Sequence, residues 1–152
     1  MTLPLRAAAL GALLFTFGCA FAQPAPTLKL DPGGGVTALE TGQLLHRSDL
    51  ASVPLAGDAF YGKKARTYRA VPVTWLVDAS KVPAGATVQF RATDGFVAAI
   101  PATLLLNRDR AKPVAWIAVD DPAQPWPPLP KRGAGSPGPF ALIWSGPGAA
   151  AV

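Results

Sequence analysis

Between residues 27 and 144 the chain alternates apolar and polar positions in short runs, each closed by glycine, proline or aspartate. A period of two marks a strand with one buried face. It predicts an edge strand at Thr27–Leu30, broken by Asp31-Pro32-Gly33-Gly34-Gly35. Further strands are expected at Ala51–Leu55, followed by a Gly57-Asp58 turn, and at Thr67–Val71. Thr87–Ala92 and Phe96–Ile100 read as a hairpin, joined through Thr93-Asp94-Gly95-Phe96 with Gly95 at positive φ. Ala115–Val119 and Phe140–Trp144 are apolar on both faces and suit buried strands.

Three segments predict short helices. Thr37-Ala38-Leu39-Glu40 has the form of a capping box, with Leu39, Leu44 and Leu45 as an apolar stripe running to about His46. Pro72 suits the first turn of a helix, where its missing amide costs nothing; Val73, Trp75, Leu76 and Val77 supply a buried side before Pro83. Ala102–Leu106 follows Pro101 and ends at Asn107. The chain therefore reads as α+β, a single domain of strands and short helices.

Composition narrows this picture. Of 152 residues half are apolar, enough for a core, while 15 glycines and 17 prolines exclude a helical bundle. Residues 1–22 read as a signal peptide: Arg6 is the only charge, Ala7–Ala22 is apolar, and Ala20-Phe21-Ala22 matches an A-x-A cleavage pattern. The run is too short for a span of about 20 residues, so residues 23–152 are expected as a periplasmic or secreted chain without a membrane span. Cys19, the sole cysteine, lies in this leader, and its surroundings do not match a lipidation signal. The exported chain then has no disulfide, thiolate ligand or thiol nucleophile.

The formal charge of +5, of which the leader carries one cation, favours loose attraction to anionic surfaces. Aromatic–basic repeats are absent, which argues against nucleic acid. Lys63, Lys64, Arg66 and Arg69 form the one basic cluster and are expected on a solvated loop. A single histidine, His46, leaves no dyad partner; no G-x-S-x-G elbow supports a hydrolase, and zinc lacks ligands. The proline-rich stretch Asp120–Pro130 reads as an ordered loop pinned by Trp126 and Leu129, with docking of a partner as the alternative.

Three stretches together carry a family likeness. Tyr68-Arg69-Ala70-Val71-Pro72-Val73-Thr74-Trp75-Leu76 is similar to a Y-x-G-V-P-L-x-x-L-L element. Ala92-Thr93-Asp94-Gly95-Phe96-Val97-Ala98-Ala99-Ile100-Pro101 is similar to an A-x-D-G-[YF]-x-x-x-[IL]-P hairpin, and Gly138–Trp144 to a closing G-P-[FLY]-x-L-[IV] strand. In this order they resemble small members of the sulfite-oxidase-type, or oxidoreductase molybdopterin-binding, domain family, over residues 27–147. The resemblance implies curved mixed β-sheets with short helices. It also implies a molybdopterin cofactor, whose metal catalytic members hold through a protein cysteine that this chain lacks after its leader.

The resemblance therefore implies a non-catalytic or accessory module that binds a small anion, a cofactor fragment or a redox-protein partner. Arg69, Arg91 and Asp94 are its candidate binding residues, since a guanidinium matches anionic oxygens in two-pronged fashion. Gly95, Pro72, Phe96 and Trp75 are expected in structural roles, the two aromatics filling the core. The alternatives are a molybdopterin-dependent oxidoreductase without a protein thiolate ligand, gripping the pterin phosphate through the basic residues, and a structural partner-docking protein using the proline-rich loop.

Overall fold

The computed structural model describes residues 25–31, 35–130 and 135–152. The leader and Cys19 lie outside the described residues, as do Gly33 and Gly34. The elements are β1 (Thr27–Leu30), β2 (Thr37–Glu40), α1 (Thr41–Leu45), β3 (Ala51–Asp58), β4 (Lys64–Pro72), α2 (Val73–Leu76), β5 (Thr87–Arg91), β6 (Val97–Pro101), α3 (Ala102–Leu105), β7 (Val114–Val119) and β8 (Phe140–Ser145). Single 3-10 turns cover Ala79–Lys81 and Ala149–Ala151. The architecture is α+β. The sheets, expected to be mixed, are antiparallel at every pairing among the described residues.

The central sheet has the order β3-β4-β7-β8; β1-β2 and β5-β6 are separate hairpins. Its two faces follow from the pleat. On one face Val53, Tyr68, Ala70, Ala118, Ala141 and Ile143 form a buried cluster, with Trp116 and Trp126 against it. Ala70, Ala118 and Ala141 are register partners in one row across three strands, and their small side chains leave room for the tryptophan rings. The sheet curls, so that the two edge strands β3 and β8 approach each other.

The opposite face is built from Val71, Ala115, Ile117 and Val119, with Val73, Leu105 and Leu44 brought onto it by the three helices. Leu28, Leu39, Val88, Phe90 and Ile100 reach it from the two hairpins. The apolar residues that α2, β5, β6 and α3 contribute to the core pack on this side, so the β5-β6 hairpin covers the sheet without joining it.

Several expectations change here. Thr37–Glu40 is a strand paired with β1 through Leu28↔Leu39, because burying that leucine pair on the sheet outweighs a local cap. The capping box exists three residues later: the Glu40 carboxylate accepts the Gln43 amide, and Gln43 Oε1 accepts the Glu40 amide at 2.8 Å. Gly57-Asp58 belongs to β3 rather than a turn, and a bulge between Leu55 and Asp58 shifts its register on β4. The basic cluster lies largely on β4, not on a loop.

Trp75 and Phe96, expected in the core, are exposed at 68% and 67%. The α2 helix is only one turn, so its inward positions are taken by Val73 and Leu76, and Phe96 sits in the hairpin turn. The hairpin itself is as expected, with Gly95 at φ 90°.

Candidate functional site

Among the described residues, the buried charged side chain sits where β3 hands over to β4. Asp58 is 2% exposed and ends β3 with its side chain inward. One carboxylate oxygen accepts the Phe60 amide at 2.8 Å, closing an Asx turn; the other accepts the Tyr68 hydroxyl. Asp58 O accepts the Lys63 amide at 2.7 Å, which holds Lys63 at φ 64°, a left-handed conformation unusual for a side-chain-bearing residue.

Around this carboxylate stand three further side chains. The Arg66 guanidinium lies 4.1 Å from the Tyr61 ring centroid and 6.0 Å from that of Tyr68. Its Nε is 4.0 Å from Asp58, too long for a hydrogen bond, and is buried without an acceptor. The Tyr61 hydroxyl donates to the Pro127 carbonyl at 2.5 Å, and the Trp126 ring meets Tyr68 edge-on at 5.0 Å. The proline-rich loop is thus ordered and tied to the β3–β4 turn, and Asp120 Oδ1 accepts the Trp126 amide at 2.8 Å.

Burial raises the pKa of Tyr68 well above the ordinary 10.0, reinforced by its hydrogen bond to Asp58 and by that carboxylate's charge. Tyr61 is raised in the same direction, chiefly by burial, with the Arg66 charge opposing. A tyrosine held neutral in the fold binds a proton that the unfolded chain has released. Its stabilising contribution is therefore complete below pH 10 and declines as pH rises through the folded value. Stability measured by urea unfolding is expected to fall above pH 10 with a slope that reaches about 1.4 kcal/mol per pH unit from Tyr68. Tyr68→Phe should remove its share of that slope while lowering stability at neutral pH.

The residues expected to bind a ligand are placed as follows. Arg69, on β4, has one guanidinium nitrogen paired with Asp121 and the other donating to the Leu45 carbonyl at 3.3 Å. Hydrogen bonding from the Ala123 amide, then the pairing with Arg69, holds the Asp121 carboxyl below its usual range. Arg69 therefore ties α1 to the proline-rich loop.

Arg91 and Asp94 belong to the separate β5-β6 hairpin. Asp94 accepts the Phe96 amide at 3.0 Å in the turn. Arg91 is exposed, stands across from Val97 and forms no ion pair or side-chain hydrogen bond with a described residue. His46 caps α1, its Nδ1 donating to the Gly42 carbonyl at 2.7 Å.

A metal centre of the kind the family likeness implies draws a thiolate from the protein. None of the described residues is a cysteine, and no three His, Cys, Asp or Glu side chains among them are grouped to hold a metal. These residues do not fit a protein-ligated molybdenum centre. A shallow, open depression of about 500 Å³ runs along β3 and β4, walled by Pro54, Leu55, Ala56 and Ala65 with Arg66 and Thr67. Asp58 and Tyr61 escaped the sequence reading. The usable signal was an aspartate closing an apolar alternating run, ten residues before a tyrosine in the next strand.

The fold and this cluster define an α+β protein whose curled antiparallel sheet is clamped by a proline-rich loop. Comparison with protein-family models, with curated proteins and with solved structures finds no match to this chain.

Proposed function

We propose that this chain is an exported, non-catalytic binding module of the sulfite-oxidase-type fold that takes a small anion, a cofactor fragment or a redox-protein partner on its surface. The observation that carries this reading is Arg91, an exposed guanidinium without an ion pair or side-chain hydrogen bond among the described residues, beside Val97 and next to a turn that presents Phe96 to solvent. Arg69 is already committed to Asp121, and Asp58, Tyr61, Arg66 and Tyr68 are packed with one another. No pair among these is poised as nucleophile and base. Binding, rather than acid–base or nucleophilic chemistry, is the use this distribution of charge supports.

Inorganic pyrophosphate is the simplest probe of the Arg91 surface. Calorimetric titration should show saturable binding that Arg91→Ala weakens about tenfold, the worth of one charge-assisted hydrogen bond. Unchanged affinity would remove Arg91 from the reading. Protein isolated from its export compartment should carry neither stoichiometric molybdenum nor pterin fluorescence. Finding both would overturn the non-catalytic assignment.

A further inference from the structure

We infer that the β3–β4 turn, residues 59–63, with Lys64 at the start of β4, is a docking tip for an anionic lipid bilayer surface. This surface is separate from the Arg91 hairpin and does not depend on the reading given above. Along the turn only Tyr61 points inward, anchored to Pro127; residues 59, 60 and 62–65 are exposed. Phe60 is 42% exposed, so a large aromatic ring stands in solvent at the tip. Lys63 and Lys64 flank it, and neither forms an ion pair with a described residue. Arg66 follows on β4, and the acidic residue beneath, Asp58, is buried and already accepts two hydrogen bonds.

The conformation of this turn is imposed from below. The Asp58 backbone carbonyl accepts the Tyr61 amide at 3.2 Å and the Lys63 amide at 2.7 Å, and its side chain accepts the Phe60 amide. Lys63 is the one non-glycine residue at positive φ among those described, in a turn where Gly62 also has φ 68°. A left-handed lysine is disfavoured unless its surroundings hold it there, and such positions concentrate at binding sites. Here the result is a turn held in one conformation that carries an exposed aromatic ring and two exposed lysines.

That shape decides between the two classes of anionic partner. Specific protein interfaces bury about 800 Å² per partner on broad, packed patches, which one exposed ring and two lysines on a short turn do not offer. A bilayer surface yields around a small probe: a ring enters the headgroup boundary while neighbouring lysines meet phosphates. The open depression along Pro54, Leu55 and Ala56 extends the apolar surface down the same two strands. With two exposed lysines and one ring the attachment is reversible and salt-sensitive, each lysine strengthening it about fivefold; Arg66 is packed on Tyr61 and is not counted among them.

The test is co-sedimentation of the mature chain with vesicles of phosphatidylglycerol and phosphatidylcholine in equal parts, against vesicles of phosphatidylcholine alone. The chain should sediment with the first and not with the second. The double variant Lys63→Glu/Lys64→Glu should reduce partitioning by about tenfold or more, and Phe60→Ser should reduce it about fivefold. Lys29→Glu/Lys112→Glu, an equal charge change on exposed positions of other elements, should leave it intact. Should the glutamate pair unfold the chain, judged by circular dichroism, Lys63→Gly/Lys64→Ser keeps the turn conformation and gives the same readout.

Three results would overturn the inference: no binding to the anionic vesicles, equal loss in both double variants, or retention by the turn variants. Capture by immobilised polyglutamate without vesicle binding would likewise overturn it, in favour of an acidic protein surface.

Discussion

Asp58→Ala is expected to lower the unfolding free energy by about 2–4 kcal/mol, the cost of leaving the donors that Asp58 accepts without a partner. The alanine would leave the Tyr68 hydroxyl, 1% exposed as a residue, without its acceptor and the Phe60 amide without its turn. It would also remove the one carboxylate near the Arg66 guanidinium, whose Nε already lacks an acceptor. Asp58→Asn retains an acceptor for one donor but not the charge, and should cost about half as much. Urea unfolding followed by tryptophan fluorescence measures both, with the slope unchanged if the native state stays compact. A loss below about 1 kcal/mol for Asp58→Ala would show that the network contributes no more than a surface pair.

The second large effect concerns Trp126. Its ring packs on the cluster that holds the alanine row and meets Tyr68 edge-on, so Trp126→Ala should cost about 2–4 kcal/mol. The Asp120 bond to the residue 126 amide and the Tyr61 bond to Pro127 survive the change, because both use the backbone of the loop. The loop should therefore stay near its place but open more often. Limited proteolysis within residues 120–130 is expected to accelerate well before global unfolding, whereas Trp126→Phe should restore most of the protection. Unchanged proteolysis in the alanine variant would mean that the backbone bonds alone secure the loop.

What the sequence disclosed and what it hid follow one physical division. β4 and β5 were legible because alternation is a local property and each run buries one face, and β7 and β8 because a short run apolar on both faces suits a buried strand. The hairpin turn at Asp94-Gly95 was legible because its Asx bond and positive φ need only neighbouring residues. The segment Thr37–Glu40 was misread because its strongest local pattern, a capping box, competes with pairing to β1 across the intervening loop, Leu28 to Leu39 for one, and the pairing buries more apolar surface.

Trp75 and Phe96 looked like core residues on size alone, yet a one-turn helix and a turn position aim them outward. The site was hidden for the same reason. The partner of Asp58 lies ten residues away across a strand pair, and that of Arg69 lies 52 residues away. Arg91, placed by its resemblance alone, forms no ion pair or side-chain hydrogen bond with a described residue.

The insertion of a hairpin and two helices between neighbouring strands governs how quickly this molecule can assemble. Ala70 faces Ala118 across β4 and β7, so that contact closes a long segment of chain, and the entropy of closure must be met before the contact gives any return. Refolding should therefore proceed on the scale of about milliseconds to seconds typical of topologies rich in distant contacts. Until β7 arrives, β4 has one open edge, and that interval is when the chain is most exposed to self-association.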